Sequence, residues 1–594
     1  VSKALAAIDR ELARAQQMRD AGQQHLLPYI MSLRTIPEEE RPPPGVQYDD
    51  WQPAIDAASK YQSLLAKHPD TDFHLWPIQG WCLELADRVR RASLARGTLP
   101  LLGVGEGKTP LSFLLGQVFR TERVLVVTEH RLIEKTLREF RMLADIYYAP
   151  MPEVTSYYLL SVDREDVIFT ETRPQLIILD EAHHMRKGTS GRNRRFVRYL
   201  QSHPLTRVCV MTATPMRRSV EDAYWLFYLA LRSFNPIPDK FQVRAAMGAV
   251  MDAIKTDPPP AAVASVRPFI DHYGAWTGNA RTDMRKAYRA RLDTIPGVTI
   301  SRSPRLPVSI VLTRWKTKPT PEVAKAVKDL DDLWMLPDDT LLVDAKDYVR
   351  HAGTLSLGFY YRYEWGDTPP DVVAAFEKAR LAWSKALSDY LKFTNIKGMD
   401  SMLLVTTALD EGRGPRSLRA PYSAWMSVKD SVTRTRHTEW VDGGAMLRKV
   451  VEAASTLFDE PTLLWYRSKG VEEKLIELGY AVGDGGPDPR YEDGTVCLSQ
   501  RKYGTGRNLP AFGRSFLIEP LRAGDLAEQL VGRTHRNGQD RDSIDVVFNT
   551  STNVQYITLQ KCLADARFLH DSDKPQRLIL GSWASTINHT GPTP

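Results

Sequence analysis

The sequence predicts an α/β protein of two lobes, each built on a parallel sheet, with a mainly helical stretch between them and a helical segment in front. Three observations carry this. From Trp76 to about 235, short apolar runs alternate with helical patterns. A second alternation of the same kind starts near 441. Between the two, residues from about 236 to 440 lose that rhythm and show long helical patterns. A chain of 594 residues is too long for one core, and length alone suggests about three to four domains.

Residues 1–55 read as an N-terminal helical accessory segment that takes in the proline-rich RPPPGVQYDD at 41–50. Its opening, VSKALAAIDRELARAQQMRD, mixes acids and bases on an amphipathic pattern, which is not a signal peptide. In the first lobe, 56–235, the runs LPLL (99–102), VLVV (124–127), LIIL (176–179) and VCVM (208–211) predict strands, each closed by a polar or glycine-bearing turn. Pro100 suits a strand start or an edge. Residues 236–440 read as a helical insertion and linker, as in DVVAAFEKARLAWSKALSDYLKF (371–393), interrupted by DPPP at 257–260. In the second lobe, 441–594, TLLWY (462–466), VCLS (496–499), FLIE (516–519) and DVVF (545–548) predict strands, with GDGGPDP (483–489) as a surface loop.

Composition narrows the class. With 43% hydrophobic and 25% charged residues and no low-complexity tract, the chain reads as globular rather than fibrous or disordered. No stretch approaches the roughly 18–20 apolar residues that span a bilayer, so no membrane role is expected. Net charge is +7, which permits nucleic-acid binding without proving it. Cys82, Cys209, Cys497 and Cys562 are scattered with no CxxC pair, so neither a disulfide framework nor a zinc site is expected. Cys209 and Cys497 sit in apolar runs and read as buried thiols, which fits a reducing, cytoplasmic setting.

Four stretches carry chemistry. Gly103-Val-Gly105-Glu-Gly107-Lys108-Thr109 lies between a predicted strand and a predicted helix. Glycines there let backbone N–H groups approach phosphates, Lys108 reaches the β- and γ-phosphates of ATP, and Thr109 holds Mg²⁺. The first glycine of GxxxxGKT is replaced by Leu102, and a plain glycine-rich turn is the competing reading. LIILDEAHH (176–184) puts Asp180 and Glu181 at the end of a buried strand, where open parallel sheets bind ligands. Asp180 then serves the Mg²⁺ shell, Glu181 polarises the attacking water, and His183 reaches toward the other motifs. His183 and His184 as metal ligands lack a third partner in the sequence. VMTATP (210–215) offers Thr212 and Thr214 as relays of nucleotide state, although such residues before a proline are also common turn formers. QLVGRTHRNGQ (529–539) begins at Gln529 and places Arg533 and Arg536 three residues apart, on one face of an expected helix. Two planar guanidinium groups suit a polyphosphate held by another lobe, the arginine-finger arrangement, while an ordinary basic surface helix is the alternative.

Basic residues suggest a phosphate track. Arg186, Lys187, Arg192, Arg194, Arg195 and Arg198 cluster between 186 and 198 without an acid. They read either as backbone-phosphate contacts or as a solvated charged face. RTDMRKAYRAR (281–291) is a second cluster for the same track. The aromatics of GFYYRYEW (358–365) read as packed core ahead of a base-stacking surface.

In this order the motifs resemble those of superfamily 2 helicases, and several resemble the Swi/Snf-like branch of translocating ATPases. LWPIQGWCLEL (75–85) resembles the glutamine-bearing segment ahead of the phosphate loop, which implies Gln79 as adenine reader. VLVVTEHRLIEKTLREF (124–140) is similar to that branch's motif Ia, and QLVGRTHRNGQ resembles its QxxGRxHRxGQ motif. SQRKYGTGRNLP (499–510) is similar to motif V and keeps Gly504 as a nucleotide-site residue, but carries Arg507. The likeness covers roughly 75–235 and 455–550. It implies two RecA-like lobes, ATP with Mg²⁺, and a motor on nucleic acid, duplex DNA before RNA. A strand-separating helicase of the same superfamily and a nucleotide-regulated nucleic-acid-binding scaffold are the alternatives. The short helical middle, with no reader or nuclease module, points to a compact prokaryotic or viral protein.

Overall fold

The computed structural model describes residues 41–589 except 44, 69, 72, 93–94, 104, 164–165, 189, 214, 218, 253–256, 275, 302–307, 343–344, 395, 397–398, 400, 505, 537 and 573–577. Most of the accessory segment expected at 1–55 therefore lies outside the described residues. The chain divides into two compact units. The first takes residues up to 304 with 385–419 and 568–575, and the second takes 305–384, 420–567 and residues from 576.

The first unit is a RecA-like α/β lobe whose strands are β1 (Gly97–Leu101), β2 (Val124–Thr128), β3 (Glu153–Ser156), β4 (Leu176–Leu179), β5 (Arg207–Val210) and β6 (Val298–Ile300). They form one sheet in the order β3-β2-β4-β5-β1-β6, and every pairing is parallel. Strands β1, β2 and β4 are buried at every residue. A parallel sheet covered on both faces asks for unbroken apolar runs, which is why these strands were visible in the sequence. β3 (EVTS) and β6 (VTI) were not, because one is a polar edge strand and the other has three residues.

Two helices, Gln52–Leu65 and Pro77–Ala92, pack in front of the sheet. Their approach depends on Gly80, where a Cβ would lie 2.2 Å from the Ala58 nitrogen. Helices Phe241–Met251, Pro260–Tyr273 and Ala280–Leu292 join the same core through Met247, Phe269 and Tyr288.

The second unit is also a RecA-like lobe. Its strands are β7 (Ser309–Thr317), β10 (Thr462–Tyr466), β11 (Val496–Ser499), β12 (Arg514–Leu517), β13 (Ser543–Asn549), β14 (Ser582–Trp583) and β15 (Ile587–His589), with β8 (Phe359–Glu364) and β9 (Thr435–Trp440) forming a separate ribbon. The sheet runs β11-β10-β12-β13-β7-β14, with β15 also on β7, all parallel. Alternate residues of β10 feed two cores, Leu463 and Trp465 on one face, Leu464 and Tyr466 on the other. β7 falls inside the range expected to be helical. Its sequence SIVLTRWKT carries Arg314 and Lys316 among the apolar residues, and only part of it is buried. Long helices such as Pro321–Leu333 and Pro370–Phe393 fill much of the chain between β7 and β10. All four cysteines are buried and free. Among the described residues no helix is long and apolar enough to cross a membrane.

Candidate nucleotide and nucleic-acid sites

The phosphate loop leaves β1 and runs into the helix Lys108–Phe119. Gly105 and Gly107 have φ of 84° and 72°, a conformation that favours glycine. At Gly107 a Cβ would also lie 1.9 Å from Gln79 Nε2. Gln79 is 1% exposed. Its Nε2 donates to the Gly107 carbonyl at 3.2 Å and its Oε1 accepts from Trp76 N at 2.9 Å. Lys108 Nζ donates to the carbonyls of Gly103 (3.0 Å) and Leu102 (3.3 Å), so the cation is already folded over the cradle. Thr109 follows in the first turn of the helix. Sequence reasoning passed over Glu106. Its carboxylate accepts from Gly103 N and from Ser301 Oγ, which places an acid inside the cradle.

Asp180 follows β4 at the same sheet edge, and its N–H extends the ladder to Val127 O at 2.9 Å. Thr128 Oγ1 donates to Asp180 Oδ2 at 3.2 Å and Tyr157 OH to the Asp180 carbonyl at 2.6 Å. Burial, and then the charge of Glu181, push the Asp180 carboxyl up, while Lys108 and Thr128 pull it down. An acid in that position gains from a cation. Glu181 adopts φ 49°, a left-handed backbone that side chains rarely take and that is common at functional turns. Its Oε2 lies 3.4 Å from His183 Nδ1. Thr212 is buried just after β5, and Ala182 N donates to Met211 O at 3.0 Å, joining the acidic turn to that strand. Thr214 lies outside the described residues.

His184 supplies a link that the sequence did not reveal. Its Nε2 lies 3.2 Å from Glu129 Oε1, and its ring centroid 4.3 Å from that of His183. Against the upward push of burial, His184 and Arg131 hold the Glu129 carboxyl at about 2. The ligand atoms of Glu129, His183 and His184 lie within 4.8 Å of one another, so the two histidines do have a third partner.

In the second unit the arginine motif departs from expectation. The helix Gly524–Val531 ends before Arg533, so Arg533 and Arg536 lie in the following turns and not on a helical face. Arg533 is 2% exposed. Its Nε donates to Gly504 O and its Nη1 to Arg507 O, both at 3.0 Å. Arg536 is partly exposed; it donates to Gly532 O at 2.8 Å and to Asn508 Oδ1. Gln529 is buried near the end of the helix. The motif thus braces the loop that carries Gly504. Arg507 fits this loop, since it donates to Gly485 O (2.6 Å) and pairs with Asp488 (3.2 Å).

The basic stretch is mostly internal structure. Arg194 donates to Leu391 O at 2.6 Å and to Thr394 O, satisfying carbonyls at the end of the helix Pro370–Phe393. Arg195 is 1% exposed and donates to Leu160 O. Arg186 donates to Pro215 O (3.1 Å) and Met216 O (3.3 Å). The phosphate-contact expectation is withdrawn for these three, whose donors point at backbone carbonyls. Lys187 is exposed, and Arg192 and Arg198 are partly so. In the second cluster, Arg281 and Arg285 donate to Val250 O and Met251 O, and Arg291 is fully buried. Phe359 and Tyr360 of the aromatic stretch are buried as expected.

A stronger cationic feature lies in the second unit and has no sequence motif. In the second unit a cavity of about 420 Å³ opens beyond the ends of β10 and β12. Arg350, Arg436, Arg467, Lys469, Arg501 and Arg522 line it, with Glu519 as its one acid among the described residues. Glu519 is occupied by the turn, accepting from Arg467 N (2.6 Å) and Ser468 N (2.7 Å). The cations are spread over 350–522, so no local run announces them.

With the geometry in view, residues 78–245 match the family model described as the SNF2-related domain. No curated protein matches the chain.

Proposed function

Because residues 78–245 match the SNF2-related domain, we propose that the chain is a DNA-dependent ATPase of the Swi/Snf-like branch, an ATP-driven motor that translocates on duplex DNA. The observation that carries this reading is the convergence of Lys108, Asp180 and Glu181 at one edge of a parallel sheet, in a chain whose second parallel sheet bears the arginine motif and a six-cation cavity.

The residues fit ATP with Mg²⁺. Gly105 and Gly107 give the loop its left-handed turns, Lys108 lies over the cradle, and the buried Asp180 gains from a divalent cation. ATP would supply the β–γ phosphoanhydride bond, whose cleavage by water to ADP and phosphate drives the cycle. Gln79, buried with both ends of its amide engaged, positions the loop base at Gly107. Thr109 and Asp180 hold Mg²⁺. Glu181 takes the proton of the attacking water, with His183 beside it. Arg536 neutralises developing charge, and Arg533 positions it by holding the Gly504 and Arg507 carbonyls. Thr212 and Thr214 report nucleotide state to the strand ends. In the first unit Lys187, Arg192 and Arg198 contact backbone phosphates, and in the second the cavity around Arg467 is a further backbone-phosphate site.

Steady-state ATPase measured without nucleic acid, with single-stranded DNA, with blunt duplex and with RNA tests the reading. Stimulation by blunt duplex of at least about tenfold, ~1.4 kcal/mol of barrier, is expected, and Lys108→Ala abolishes turnover. Preference for single strands or RNA selects a strand-separating helicase, and no stimulation selects the scaffold.

A further inference from the structure

A second cationic cavity, unrelated to the motifs, sits at the opposite end of the first unit's strands. Arg96 precedes β1, Arg207 opens β5, and Arg232 follows the helix Val220–Leu231. β1 and β5 pair with Gly97 opposite Val208, which sets Arg96 beside Arg207. The three arginines line one cavity of about 310 Å³, together with Thr206, Leu231 and the rim residue Leu205. No carboxylate lines it among the described residues.

Among the described residues the three cations donate to backbone carbonyls and pair with no carboxylate. Arg96 donates to Leu200 O (3.4 Å), Arg207 to Ala95 O (3.0 Å) and Arg232 to Pro204 O (3.5 Å). Arg96 Nε is buried without an acceptor. Burial, and then Arg90, lower the Arg207 guanidinium pKa, and burial lowers that of Arg232. Arg232 also takes φ 51° and ψ −113°, a backbone suited to glycine, so an arginine is kept there at a conformational cost. Three converging cations without an acid repel one another, and an anion at their centre reverses the sign of that energy.

We propose that this cavity binds a phosphate group, free or carried on a small molecule. A single carboxylate would leave most of the positive charge uncompensated. A phosphate carries up to two charges and offers several acceptor oxygens to planar guanidinium forks. The phosphate loop follows the other end of β1, so this site is separate from the nucleotide cradle.

The test uses the full chain carrying Lys108→Ala, chosen to weaken phosphate affinity at the proposed cradle. Calorimetric titration with sodium phosphate and with AMP, at ionic strength matched by sodium chloride, reads binding. Arg232→Gly relieves the backbone while removing one cation; Arg96→Gln removes a second. Each is expected to weaken phosphate binding at least tenfold, while the melting temperature of Arg232→Gly in chloride does not fall. Tighter binding of AMP assigns a phosphorylated small molecule, and equal binding assigns free phosphate. Phosphate binding unchanged in both variants overturns the proposal. So does a tenfold loss of duplex affinity, read by fluorescence anisotropy, with phosphate binding intact, because the site would then serve a nucleic-acid backbone.

Discussion

Glu106 is the residue at which this phosphate loop differs most in chemistry from a bare glycine cradle. Its carboxylate occupies the Gly103 N–H, where the proposed function would bring polyphosphate oxygens. A like charge so close costs on the order of 1 kcal/mol. Glu106→Gln is therefore expected to lower the KM for ATP about fivefold with kcat little changed; a raised KM would mean that the charge holds the loop in its binding shape. A second carboxyl sets a pH dependence. Burial, and then the charges of Asp222 and Glu221, raise Asp252 to about 6, although it accepts from Val220 N at 2.8 Å. A raised carboxyl binds its proton more tightly in the folded state, so its stabilising contribution is present below about pH 4 and is lost as pH rises through 6. Asp252→Asn keeps the acceptor. It should raise the melting temperature at pH 7.5, worth about 1–3 kcal/mol, with the gain fading toward pH 4. The placing of Lys108 and Asp180 just beyond β1 and β4 was legible because short motifs name them. The burial of Arg194, Arg195 and Arg533 was not, since the carbonyls that hold them come from residues distant in the chain.

At the scale of elements, the helix pair Gln52–Leu65 and Pro77–Ala92 couples packing to the site. Gly80 sets their separation and Gln79, its neighbour, holds the loop at Gly107. Gly80→Ala would force a Cβ into the Ala58 backbone, which costs about 1–3 kcal/mol. A lower melting temperature together with a raised KM for ATP is expected, and a normal KM in a destabilised protein would uncouple the two. The fully buried strands β1, β2, β4, β10 and β11 were readable as apolar runs. The strand β7 was not, because its pairing with β13 joins residues 309–315 to 543–549, and no local pattern reports so distant a partner.

For the whole molecule, a net charge of +7 says less than where the cations gather. Arg467→Ala and Arg501→Ala each remove one cation from the cavity beyond β10 and β12. Each is expected to raise the duplex concentration for half-maximal ATPase stimulation and to reduce the log–log salt slope by about 1. An unchanged slope would place the backbone elsewhere. The family resemblance gave the two sheets and the cradle, while the six-cation cavity needed the fold, which alone assembles its distant residues. The placement of β7 also has a consequence during biosynthesis. Its partner on one side begins at residue 543 and those on the other at 582 and 587. From Thr317 to Ser543 the ribosome adds 226 residues, which at roughly 5–20 residues per second takes about 11–45 s. Throughout that interval a nascent strand bearing Ile310, Leu312 and Trp315 waits with neither neighbour made, so slowing translation should increase the load on chaperones during synthesis of the second unit.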